Sequence, residues 1–156
     1  TGCWAPRVCY RSAMTTEGLQ PVGVLIASII SIVSGSLWFG PKTLYPVWMR
    51  ARGIASGRLA EDHNPAVLFG GTFVGIFAQT FTLAVIITSL QQENPSFTIA
   101  DGAGVGCALG VGIAAFASLS HRLFGGESFK VWIIETANDA INLTIAGALI
   151  AYFNGA

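Results

Sequence analysis

Residues 63–92 read HNPAVLFGGTFVGIFAQTFTLAVIITSLQQ, thirty positions without a Lys, Arg, Asp or Glu. A helix needs about 20 mostly apolar residues to cross the hydrocarbon core of a bilayer. Runs such as LAVIITSL (83–90) are continuously apolar. A strand of a membrane β-barrel would instead alternate polar and apolar residues over about ten positions. The stretch therefore predicts a transmembrane helix, and the rest of the chain can be read outward from it.

Two further charge-free gaps flank it. One covers Gly18–Pro41, 24 residues, and the other Gly102–His121, 20 residues. After Asp139 the chain is uncharged to its end. These gaps predict four spans, at about 21–39, 66–90, 102–120 and 131–153. The expected fold is all-α, an integral membrane bundle of four transmembrane helices with both termini on the same side. Residues 1–17 form an N-terminal extension and 18–156 the transmembrane domain.

The composition agrees. The chain has 156 residues, 53% hydrophobic and only 10% charged, with eight Lys and Arg against eight Asp and Glu. A soluble domain carries about a quarter charged residues. Eight scattered cations make no basic stripe, so nucleic acid is excluded as a partner. The chain is also too apolar to be disordered.

The cations set an orientation. Lys42, Arg50, Arg52 and Arg58 follow the first span, and Arg122 and Lys130 follow the third. The loop after the second span and the C-terminus have none. Six against zero places loops 40–65 and 121–130 on the cytosol, stroma or matrix side and both termini outside. Arg7 and Arg11 oppose this. Residues 1–13, TGCWAPRVCYRSA, are basic and acid-free, which suits either a remnant of an organelle-targeting segment or plain upstream sequence. The expected location is thus a plastid thylakoid, mitochondrial inner or bacterial inner membrane.

Burial alone does not join helices in lipid; close backbone approach and shared polar groups do. Gly102, Gly106 and Gly110 recur every fourth residue and continue through Ala114 and Ser118. Ala27, Ser31 and Gly35 form a second small-residue stripe, and Gly71 and Gly75 a third, followed by Gln79. All are expected helix-packing positions, and Cys107 a small packing residue. GAGVGCALG is no dinucleotide loop, since no strand precedes it.

The last span is the polar one. Glu135, Asn138, Asp139 and Asn142 fall at about 0°, 300°, 40° and 340° around the helix, one arc of roughly 100°. A carboxylate facing lipid costs at least about 2.5 kcal/mol, so this stripe is expected to face the bundle, a partner or water. It suits either an interhelical hydrogen-bond cluster, with Gln79, Ser31, Ser34 or Thr72 as partners, or a proton or cation relay. His63 and His121 sit at inner span ends and are weak candidates for a chlorophyll, other pigment or haem; a capping role is the plainer alternative. No metal-ligand set is present. The first loop mixes Trp38, Phe39, Tyr45, Trp48 and Met49 with cations, and Pro46–Arg52 suits a short interfacial helix against lipid headgroups.

GSLWFGP (35–41) followed by LYPVWMRARGI (44–54) resembles the G-x-L-W-Y/F-x-P, W-M, G-I signature of domain-of-unknown-function family 1761, small four-helix membrane proteins, mainly bacterial. HRLFGGESFKVWIIETANDAINLTIAGAL (121–149) is similar to the end of that family. The resemblance covers about Met14 to the C-terminus. Residues 1–13 have no recognised counterpart in it, and the resemblance does not extend to asserting the acidity of Glu135 and Asp139 for the family. It implies a fold and an orientation and no catalytic residues.

The function expected is that of a non-catalytic accessory subunit within a larger membrane complex of photosynthetic or respiratory type. Other transmembrane subunits and membrane lipids are its partners. The alternatives are a small oligomeric transporter or channel using Glu135 and Asp139, and a pigment- or haem-associated membrane protein. No nucleophile–base pair points to an enzyme.

Overall fold

A computed structural model describes residues 14–53 and 64–155. The expectations for residues 1–13 and for His63 lie outside the described residues.

Prolines and polar caps start the helices where the charge gaps open. α1 is Pro21–Trp38, with Pro at its first turn, where a missing N–H costs nothing. α2 is the short helix Tyr45–Ala51. α3 is Pro65–Glu93, entered through Asn64, whose side chain accepts from the Ala66 N–H. α4, Ile99–Leu109, opens on a capping box in which Thr98 and Asp101 satisfy each other's backbone N–H groups. Six π-helical residues, Gly110–Ala115, follow, then α5, Phe116–Phe124, and finally α6, Phe129–Phe153.

Among the described residues, three helices are long and apolar enough to cross a membrane: Pro21–Trp38, Pro65–Glu93 and the continuous run Ile99–Phe124. The fourth expected span, α6, has the length at 25 residues, but Glu135, Asn138, Asp139 and Asn142 dilute its apolar character. Its place explains this composition. α6 is the central helix, contacted by all the others. A helix packed against several others can carry polar groups on its packed side, while Ile133, Ile141 and Ile145 keep its exposed side apolar.

The tightest crossing joins α4 and α6. A Cβ added at Gly102 would lie 2.5 Å from the Gly147 carbonyl oxygen, and one at Gly110 would lie 2.7 Å from Ala140 Cα. At Gly106 it would run into the Leu143 carbonyl, and at Gly147 into that of Gly102. Backbone thus meets backbone with no room for a side chain, which maximises van der Waals contact between the helices. On α1 the stripe Gly23, Ala27 and Ser31 is buried. Gly23 faces Phe153 of α6, and Gly35 faces Asn138. Leu83, Ala84 and Ile87 of α3 complete the core with Val24, Ala146 and Ile150.

At one end, Asn154 ties three helices. It accepts from the Gln20 N–H at 3.1 Å and donates to Thr88 Oγ1 at 2.9 Å and Gln91 Oε1 at 3.0 Å. The start of α1 and the end of α6 therefore lie together.

α3 departs from expectation. Only its second half, from Thr80 to Ser89, contributes buried residues. Gly71, Gly75 and Gln79 are exposed. A Cβ at Gly71 or Gly75 meets nothing within 4 Å among the described residues. The third small-residue stripe thus makes no contact among the described residues. Cys107 is likewise exposed on α4 and packs no core, because the buried face of α4 runs through Gly102 and Gly106 instead.

Candidate functional site

The end of the bundle opposite Asn154 gathers most of the described charge. Glu135 lies just over one and a half turns into α6. Its Oε1 accepts from Trp48 Nε1 at 2.9 Å, and its Oε2 pairs with Arg122 Nη2 at 2.8 Å. Arg122 also reaches Glu127 at 3.3 Å, and Glu127 holds Arg52 at 2.8 Å. The Arg52 guanidinium sits 4.9 Å from the centre of the Trp48 ring, which closes the circuit. Two carboxylates, two guanidiniums and one indole, drawn from α2, α5, α6 and the loops beside them, form a neutral ring. Glu127 and Glu135 keep only 20% and 18% of their side-chain surface. At that burial, charged hydrogen bonds are stronger than exposed surface pairs and more costly to break.

Local sequence places these groups. Pro46 lies in the first turn of α2, and two residues later Trp48 packs between Phe39 and Tyr45 at ring distances of 5.8 and 5.9 Å. Gly126, with φ at +71°, turns the chain between α5 and α6 and brings Glu127 back toward Arg122. Two more tryptophans brace this end. Trp38 Nε1 donates to the Ile134 carbonyl at 3.1 Å, and Trp132 Nε1 to the Ala115 carbonyl at 2.9 Å. Ala115 closes the π-helical segment, where the hydrogen-bond register is shifted.

The four polar residues of α6 therefore separate. Glu135 belongs to the ring; its partners come from α2 and α5, not from Gln79, Ser31, Ser34 or Thr72. Asn138 lies against Gly35 of α1. The Oδ1 atoms of Asn138 and Asn142 are buried without a hydrogen-bond partner among the described residues. Asp139 lies beside Asn138 and in electrostatic range of Glu135 and Arg122. Gln79 stands apart, exposed on α3, and does not join this group. Ser31 is buried in α1, while the Thr72 hydroxyl turns back to the Leu68 carbonyl.

His121 is exposed in the last turn of α5, and no cluster of three or more His, Cys, Asp or Glu suited to a metal occurs among the described residues. A groove beside α1, lined by Ile30, Val33, Ser34, Leu37, Trp38, Thr43 and Leu44, is almost wholly apolar. Its Thr43 hydroxyl is committed to the α1 carbonyls of Leu37 and Trp38.

Sequence reasoning missed the ring members Trp48, Arg52, Arg122 and Glu127 as partners of Glu135. The available signal was compositional: two basic loops on one side of the spans, and an acid one and a half turns into the helix that follows the second.

An all-α bundle with three membrane-length apolar helices packed on a more polar central helix, clamped at one end by half-buried ion pairs, defines a class of small helical membrane-type protein. Within that class the chain belongs to the family described as protein of unknown function (DUF1761), whose profile matches residues 22–151. No curated protein and no solved structure matches the chain.

Proposed function

We propose that this chain is a non-catalytic integral membrane protein of four spans that works as a subunit of a larger membrane assembly. In this reading α6 is the fourth span, sheltered by the other three. Loops 40–65 and 121–130 face the cytosol, stroma or matrix, and both termini face outside. The observation that carries the reading is the outward face of α3, where Gly71, Gly75 and the amide of Gln79 are uncovered among the described residues. A smooth glycine surface with a polar group beside it is what membrane helices present to one another, not to lipid. The ring around Glu135 supports it from the other direction, because an acid already committed to Trp48 and Arg122 is a brace and not a free proton carrier. Extraction in mild detergent tests it: the chain should migrate with a larger assembly, and a clean monomer would overturn the proposal.

A second reading is favoured by one observation, the buried and unpartnered Oδ1 atoms of Asn138 and Asn142 beside Asp139. Such oxygens suit a pathway for a small cation or protons through the bundle. Asp139→Asn should then abolish flux into liposomes, and a wild type that carries no flux removes this reading.

A further inference from the structure

Ile141 is the midpoint of α6, twelve residues from Phe129 and twelve from Phe153. In the four-span reading, on which this inference rests, Asn138, Asp139 and Asn142 therefore lie near the centre of the hydrocarbon. Asn142 is four residues from Asn138 and three from Asp139, so the three share one patch of the helix surface. The Asn138 side chain hydrogen-bonds to the Asp139 carboxylate. An ionised carboxylate only accepts, so the amide commits its nitrogen there and turns its oxygen elsewhere. That oxygen and Asn142 Oδ1 are both buried with no partner among the described residues. α1 walls one side of the patch. It runs antiparallel to α6, from Gln20 beside Asn154 to Gly35 beside Asn138. One turn back from Gly35, the buried Ser31 comes level with Asn142, one turn on from Asn138.

Two imbalances meet in this patch. The first is of charge. Arg52 and Arg122 balance Glu127 and Glu135 in the ring. Asp139 is left over. Among the described residues no Lys or Arg pairs with it, and Arg122, in electrostatic range, is already shared by two carboxylates. The second is of hydrogen bonding, because one carboxylate and two amide oxygens offer acceptors only. A proton on Asp139 would cancel the charge but supply one donor for two orphan oxygens. A water would supply donors but no charge. A cation answers both. Carboxylate and amide oxygens are ligands for hard cations, and such a set stands outside the His and Cys sites that hold transition metals. The single surplus charge selects a monovalent ion, since a divalent one would leave net positive charge in the hydrocarbon. We propose that Asn138, Asp139 and Asn142 hold an alkali-metal cation against α1, a resident ion that braces the middle of the bundle. The site deepens the pathway reading above but does not require that the ion be conducted.

Thermal unfolding of the full chain in mild detergent tests this, in sodium or potassium chloride against choline chloride at equal ionic strength. An alkali-metal ion should raise the melting point by about 3–6 °C where it stands about tenfold above its dissociation constant. Asp139→Asn should abolish the rise. Asn142→Leu should increase the ion concentration needed by about tenfold or more. Gln79→Leu, which removes an exposed amide from α3, should leave the rise intact. Unchanged helical circular dichroism would show that each variant is folded, and the wild-type comparison with choline decides even where a variant is not. A melting point indifferent to the cation would leave the amide oxygens to water and overturn the proposal, as would a rise that survives Asp139→Asn. An ion-dependent melting point without flux in liposomes removes the pathway alone and leaves the site standing. Failure of the four-span reading shows separately, as labelling of Thr43→Cys and Ser96→Cys from the same side of the membrane.

Discussion

Trp48 donates its indole N–H to Glu135 Oε1 at 2.9 Å across 87 residues of sequence. The bond fastens α2, a short helix in the first connecting loop, to the central helix α6. It also gives the carboxylate a fixed neutral donor on one oxygen while Arg122 neutralises the other. Trp48→Phe keeps the ring and removes the donor. It should cost about 1.5–3 kcal/mol, the scale of a lost hydrogen bond to a charged group. Thermal unfolding in detergent measures it, and a melting point equal to that of the wild type would contradict the role given to this bond.

The Arg122–Glu135 pair should behave as a coupled unit. Either single change, Arg122→Gln or Glu135→Gln, leaves a half-buried charge uncompensated, at a cost of about 1–3 kcal/mol after allowing for its partial exposure. The double variant should be less destabilised than the sum of the singles by about 1 kcal/mol or more. Strict additivity in a denaturant-based cycle would mean that the pair contributes nothing.

Glycines on α4 should divide by face. Gly106→Ala places a methyl group against the Leu143 carbonyl, and the helices must part. A loss of about 1–3 kcal/mol is expected, as for overpacking against rigid backbone. Gly104 has open space around it, so Gly104→Ala should be neutral or stabilise by up to about 1 kcal/mol through helix propensity. Equal effects at the two positions would refute the close crossing.

Asn154 is the clamp at the other end. Asn154→Ala removes contacts to Gln20, Thr88 and Gln91 together. A cost of about 1–3 kcal/mol is expected from the polar groups left unpaired. Hydrogen exchange should show faster opening at the start of α1 and the end of α3, and not at the Glu135 end.

The proposed orientation can be checked with single cysteines and an impermeant thiol reagent. Thr43→Cys, in the basic loop, should label only from the cytosol, stroma or matrix side. Ser96→Cys, in the loop between α3 and α4, should label only from outside. Labelling of both from one side would remove the four-span arrangement.

Much of this molecule is legible without coordinates, because the cost of placing charge in hydrocarbon is paid residue by residue along the chain. The gaps at 18–41, 63–92 and 102–121 mark α1, α3 and the α4–α5 run to within a few residues, and the proline and polar caps mark where they begin. Gly102, Gly106 and Gly110 could be proposed as a helix contact from their i+4 spacing, since a run of glycines on one face allows close backbone approach. The family signature, too, is carried by local residues such as Trp38, Pro41 and Trp48.

What the linear order does not hold is which face of each helix turns inward, for that depends on how the neighbours are rotated and tilted. Gly71 and Gly75 have the same spacing as Gly102 and Gly106, yet one pair is open and the other meets backbone. Glu135 and Asp139 share one helical arc, yet only Glu135 is met by Trp48 and Arg122. Hydropathy and charge are properties of each residue in turn, and they determined that this chain forms membrane-length helices. Partnership is a property of pairs far apart in sequence, and only the packing around α6 decided it.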